Sequence, residues 1–128
     1  MAREIGQEGA REARSEAFAF DLLRGHTDTI VLGVLRAADR YGYEIYKVIR
    51  DATGGDFEIK EATLYATFRR LVKDGLVEAY WGDESQGGRR KYYRITDAGR
   101  VVYRRNVADW IATQQIVNKL LDVKGGTA

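Results

Sequence analysis

The chain has 128 residues, 45% hydrophobic and 31% charged, the mixture expected of one soluble globular domain. It holds no cysteine and one histidine, His26, which excludes a disulfide framework, thiolate metal sites, cysteine nucleophiles, and any triad or zinc site needing several histidines from one chain. The net charge of +2 is unevenly spread: residues 1–56 carry 8 basic and 10 acidic side chains, residues 57–105 carry 11 and 7, and the remainder 2 of each. That asymmetry suits a polyanion partner and, equally, a solvated basic face.

Residues 1–16 mix charges of both signs with little apolar content and no h-region. They are expected to be a flexible N-terminal arm and not a secretory leader. No apolar run reaches the roughly 18 residues of a membrane span, so no membrane partner is expected and the expected location is the cytoplasm. From Phe18 the pattern becomes helical. Leu23, Thr27, Val31, Val34, Leu35 and Ala38 recur at three- and four-residue steps, predicting a helix of about 20 residues. A break at Asp39–Gly42 precedes a second helix with Ile45, Val48 and Ile49 on one face, closed by Gly54–Gly55. Phe57–Ile59 reads as extended. A third helix runs from Glu61 to Asp74, with Leu64, Phe68, Leu71 and Val72 as its buried stripe and Gly75 as its stop.

The period then changes to two. Residues 76–82 and 90–96 alternate β-branched and aromatic side chains about a polar, glycine-rich loop, which predicts a hairpin. Thr96 or Asp97 caps a last helix extending to about Asp122. The order helix, helix, helix, hairpin, helix predicts a mainly α (α+β) fold. Residues 17–96 form a winged helix-turn-helix, 97–122 an added C-terminal dimerisation helix and 123–128 a tail.

Three features carry candidate function. Along the third helix, Lys60, Thr63, Tyr65, Arg69, Arg70 and Lys73 lie mostly off the apolar stripe. Thr63 offers a hydrogen bond and a methyl to base edges, the Tyr65 hydroxyl can reach a phosphate, and the cations suit the backbone of double-stranded DNA. An ordinary solvated helix face, with Tyr65 partly in the core, has the same pattern. At the hairpin tip, Gly87 and Gly88 permit close approach to an anion, and Arg89, Arg90 and Lys91 bring adjacent positive charge, although Asp83 and Glu84 share the loop. Along the last helix, Tyr103, Val107, Trp110, Gln114, Val117 and Leu121 follow steps of 4, 3, 4, 3 and 4, a heptad seam that Ile111 and Leu120 widen. Such a seam needs a partner surface. The economical one is the same helix of a second copy together with its first helix, including Phe18; packing on the first helix of the same chain is the alternative. Trp110 lies mid-seam and would face its mate near a two-fold axis. There two indoles pack together or part to hold a planar aromatic molecule. No acid–base pair, phosphate-binding loop or dinucleotide fingerprint is present, so neither catalytic residues nor a cofactor or metal are expected.

The segments YGYEIYKVI (41–49), EATLYATFRRLVKDGLV (61–77) and YWGDESQGGRRKYYRIT (80–96), with the following DAGR, resemble the PadR family of bacterial transcriptional regulators. The similarity is nearest to its small branch with a single C-terminal helix, which includes multidrug-sensing repressors. It implies a homodimeric repressor on a palindromic operator, released by a small molecule. The family's DNA contacts carry over to Thr63, Tyr65, Arg69 and Arg70 and to Gly88, Arg89, Arg90 and Lys91. Trp110 matches the tryptophan that sandwiches planar ligands, and Leu22, His26, Asp28, Thr29 and Leu32 would line the same pore. Gln114 stands where drug-binding relatives can carry an acid. Two alternatives stay open on the sequence: a DNA-binding dimer without a ligand, and a coiled-coil protein-interaction module without DNA binding.

Overall fold

A computed structural model describes residues 23–83 and 89–123. A 3-10 turn, Arg24–His26, leads into α1 (Thr27–Leu35). Then come β1 (Arg40–Tyr41), α2 (Gly42–Ala52), α3 (Glu61–Lys73), the hairpin strands β2 (Val77–Trp81) and β3 (Lys91–Ile95), and the 24-residue α4 (Asp97–Leu120). This is the winged helix-turn-helix fold, mainly α with one small sheet, that the element order predicts.

The core forms where the helical and strand patterns meet. Val31, Leu32 and Leu35 of α1, Ile45 and Ile49 of α2, and Leu64, Phe68 and Leu71 of α3 close on Val77, Tyr93 and Ile95 of the hairpin, with Ile59 beside them. Removing these side chains from water supplies the main driving force for the trihelical packing. The connections are set locally. The Glu44 carboxylate accepts the Tyr41 N–H (3.2 Å) at the start of α2. Gly54 and Gly55, at φ +62° and +87°, return N–H groups to the last carbonyls of α2 (3.1 and 2.9 Å).

The structure departs from the sequence expectations in two places. First, α1 stops at Leu35, and Ala38, expected on its apolar face, is exposed. The chain instead turns so that Arg40 and Tyr41 pair antiparallel with Tyr93 and Tyr92 of β3, giving a three-stranded sheet in the order β1-β3-β2. Two residues are too few to show a period of two, so β1 leaves no pattern in the sequence. Second, Thr67 and not Val72 completes the buried stripe of α3. Thr67 tolerates burial because its hydroxyl donates to the Thr63 carbonyl (2.9 Å). Phe57–Ile59 connects α2 to α3 outside any helix or strand. The N-terminal arm, Phe18, Leu22, the loop tip with Glu84, Gly87 and Gly88, and the end of the tail lie outside the described residues.

The start of α4 is fastened to the turn before the wing. Thr96 caps it, its hydroxyl accepting the Gly99 N–H (3.0 Å) and donating to the Gly75 carbonyl (2.8 Å). Gly99 is buried so closely that a Cβ there would stand 2.2 Å from the Leu76 carbonyl oxygen. This packing is a physical reason for glycine in the DAGR segment.

Candidate nucleic-acid interface

The cations of α3 divide between two directions. Arg69 and Lys73, four residues apart, rise on the same side of the helix and meet Lys91 of β3. With Phe68, Val72 and Tyr93 they line an open groove of about 230 Å³ between α3 and the wing. The floor is aromatic and the rim is cationic. Burial raises the Tyr93 hydroxyl above the ordinary tyrosine range, while Arg69 opposes the shift, so this phenol stays protonated at the groove floor at neutral pH. Lys60 and Thr63 are exposed at the first turn of α3.

Arg70, expected to work with Arg69, instead turns towards α1. Its guanidinium pairs with the Asp28 carboxylate, which raises its already high pKa further. Tyr65 is more engaged than its chemistry alone suggests. Its ring meets Phe68 edge-on at 5.1 Å, and its hydroxyl lies so near Gly42 that a Cβ there would approach it to 2.3 Å.

The wing root is built on an aromatic ladder that no sequence pattern singled out. Arg90 lies 4.6 Å over the Tyr41 ring, Tyr41 meets Tyr92 edge-on at 5.7 Å, Tyr92 stacks with Tyr80 at 5.7 Å, and Arg94 covers Tyr80 at 5.0 Å. The strand registers Tyr41↔Tyr92 and Tyr80↔Tyr92 bring the three rings onto one face of the sheet. The Tyr80 hydroxyl donates to Asp39 at 2.6 Å, which is the main cause of its raised pKa. Arg89 lies 5.6 Å over Trp81. Arg89 and Arg90 therefore stack on two different aromatic groups, and each keeps donors free for an anion because a cation–π contact uses only the face of the guanidinium.

The second candidate surface lies between α1 and α4. Here the structure brings together His26, Thr29 and Trp110 of the residues assigned to a pore. The His26 ring meets Trp110 edge-on at 4.9 Å. Asn106, which sequence reasoning missed, donates to the Thr29 hydroxyl at 2.9 Å. Its spacing, three residues after Tyr103 and four before Trp110, could have placed it on that face. Two other assigned residues lie elsewhere. Leu32 is 0% exposed, inside the core, and does not reach this surface. Asp28 faces α3 through its pair with Arg70. Gln114 is exposed one turn beyond Trp110.

The heptad seam divides in the same region. Tyr103 packs on Gly33 with Arg36 at 4.4 Å over its ring, and Val107 is half-buried, so this part is covered by α1 of the same chain. Beyond it Trp110, Ile111, Val117 and Leu121 are exposed, with Ile116 and Leu120 beside them. Among the described residues no helix is long and apolar enough to cross a membrane. None of their His, Asp or Glu side chains cluster in threes that could hold a metal.

Comparison with known proteins agrees with this architecture. An uncharacterised protein of Lysinibacillus sphaericus is 47% identical over 102 residues, 80% of this chain and 94% of that one. A transcriptional regulator from Clostridium thermocellum has the same fold at a TM-score of 0.73 and 45% identity, covering 77% of this chain and 96% of its own. The negative transcriptional regulator PadR of Bacillus subtilis is 24% identical over 85 residues, 66% of this chain and 44% of that one. Its structure in complex with operator DNA shares the fold at a TM-score of 0.56 and 23% identity, over 66% of this chain and 45% of that one. The model of the transcriptional regulator PadR-like family matches residues 31–105, from the core of α1 to the middle of α4, and the chain therefore belongs to that family of transcriptional regulators.

Proposed function

We propose that the protein is a homodimeric repressor that binds a palindromic site in double-stranded DNA. The observation that carries this reading is the convergence of Arg69 and Lys73 of α3 with Lys91 of the wing on one groove, with Arg89 and Arg90 at the wing root. Three cations about an open groove suit a phosphate backbone, and the exposed first turn of α3, with Lys60 and Thr63, suits base edges. Tyr65 takes part by setting α3 against α2. Gly88 belongs to the same wing in the family pattern. The negative regulator of Bacillus subtilis, whose structure includes operator DNA, supports the direction of regulation.

Dimerisation is supported by the exposed apolar half of α4, where Trp110 is 46% and Leu120 79% exposed. A large unshared apolar stripe on a soluble chain calls for a partner surface, and a two-fold pair would offer two reading helices to half-sites about 34 Å apart. His26, Thr29, Asn106 and Trp110 form the side of that interface suited to a planar aromatic effector. Such a molecule would release DNA by favouring one spacing of the two subunits.

The test is selection of duplexes from a randomised pool, followed by affinity measurement across salt concentrations. Salt-dependent binding to a palindrome is expected, with a log–log slope of about −0.9 for each phosphate neutralised. A chain that recovers no duplex at low salt, or whose binding ignores salt, is not the DNA-binding protein described here. Quenching of Trp110 emission by planar aromatic compounds, with Trp81→Phe to remove the second indole, tests the effector. Unchanged emission leaves a DNA-binding dimer without a ligand.

A further inference from the structure

Arg69 and Arg70 are neighbours in sequence, but a helix of 3.6 residues per turn points them about 100° apart. Arg69 faces the groove beside the wing. Arg70 reaches back to Asp28 of α1, with Nε 3.3 Å from Oδ2 and Nη2 bonded to Oδ1. The same Nη2 lies 3.4 Å from the Thr67 hydroxyl. The guanidinium fork is thus filled by a carboxylate 42 positions away, a geometry that an ammonium cannot reproduce. On the next residue of α1, the bonding runs the other way. Thr29 accepts from Asn106 of α4 at 2.9 Å, and the His26 ring meets Trp110. Residues 26–29 therefore form a joint, with the C-terminal helix on one side and the Arg70 anchor of α3 on the other.

We propose that Arg70 is a positioning residue and not a phosphate ligand: through Asp28 it fixes α3 to the α1–α4 joint, so that the dimer helix and the DNA-reading helix move as one body. The proposal rests on the DNA-binding reading above and assigns within it a role that opposes the one expected for Arg70 from sequence. The two roles differ in sign at Asp28. If Asp28 holds Arg70 in place for positioning, removing its charge weakens DNA binding. If Asp28 merely competes with phosphate for the guanidinium, removing its charge frees Arg70 and strengthens binding.

The experiment uses the full chain and the tightest duplex recovered from the randomised pool. The side chains of Arg70 and Asp28 are 50% and 38% exposed, so their loss leaves the fold intact, which circular dichroism checks. Expected are about three- to tenfold weaker binding for Asp28→Asn and for Arg70→Ala, an effect in the double variant no larger than in either alone, and an unchanged salt slope. Arg70→Lys, which keeps the charge but loses the fork, is expected to behave like Arg70→Ala. Exchanging the partners by Asp28→Arg with Arg70→Asp is expected to recover most of the affinity. Tighter binding by Asp28→Asn overturns the proposal. So does full affinity in either single variant, or a slope reduced by about 0.9 in Arg70→Ala with affinity kept in Arg70→Lys. Failure of the unaltered chain to bind any duplex overturns the DNA-binding reading itself, a result distinct from all of these.

Discussion

The two halves of α4 carry the same heptad spacing and meet opposite surroundings. Tyr103 and Val107, in the first half, are covered by α1, and the helix start is pinned by Thr96 and Gly99 to the turn before β2. In the second half Val117 and Leu121, with Leu120 beside them, carry the same stripe into solvent. Regular apolar spacing therefore specifies that a face must be covered, but not by what. At Trp110, beside His26 before the first turn of α1, the cover given by the described residues ends, and a second subunit is the proposed continuation. The comparison also separates two kinds of stability: the winged body closes its own core, whereas the distal half of α4 leaves its apolar residues exposed among the described residues.

That contrast can be broken first at the closed end. Leu32→Ala, fully buried in the core of the winged body, is expected to cost about 2–5 kcal/mol in urea unfolding. A loss under about 1 kcal/mol would mean that the body is not packed as described. Gly99→Ala, which sets a methyl against the Leu76 carbonyl, is expected to cost about 1–3 kcal/mol by the same measurement. At the open end, Val117→Asp is expected to preserve the helical circular dichroism signal yet raise the dimer dissociation constant at least tenfold, about 1.4 kcal/mol, in sedimentation equilibrium. An unchanged dimer constant would assign the distal stripe to another partner. Arg69→Ala should make the salt slope of DNA binding shallower by about 0.9 per site with no loss of folding stability, and a slope that stays the same removes the groove from the interface.

The smallest effect concerns pH. Donation to Asp39 favours the protonated form of Tyr80 and raises its pKa above the ordinary value of 10.0. Its stabilising contribution is therefore complete below about pH 10 and is lost as pH rises through the raised folded-state value. Tyr80→Phe should remove that alkaline loss from the stability profile while leaving stability differences between pH 6 and 8 small; a profile identical to that of the unaltered chain counts against the bond.

Much of the fold was legible because its helices and hairpin strands are long enough to display a period. The face of Leu64, Phe68 and Leu71, the Gly54–Gly55 stop and the Thr96 cap needed only local chemistry. Elements that depend on distant partners were not legible. Two-residue β1 exists because Tyr92 and Tyr93 are there to pair with it. Thr67 is buried because α3 happens to present it to the core, and a hydroxyl alone does not announce that. At the candidate interface, cation content was plain while direction was not. Arg69, Arg70 and Lys73 form one basic run in the sequence but serve two surfaces in space.

The sequence by itself determined the order of the helices and hairpin strands, most of each apolar face, the Gly54–Gly55 stop, the Thr96 cap and the family pattern, since each follows from residue spacing over a few turns. Tertiary structure decided which covering each face receives and where each charge points. Asp28 went to Arg70, Leu32 into the core, and Tyr103 onto α1, because those outcomes depend on packing between elements tens of residues apart. Local propensity carries no information about such distant neighbours.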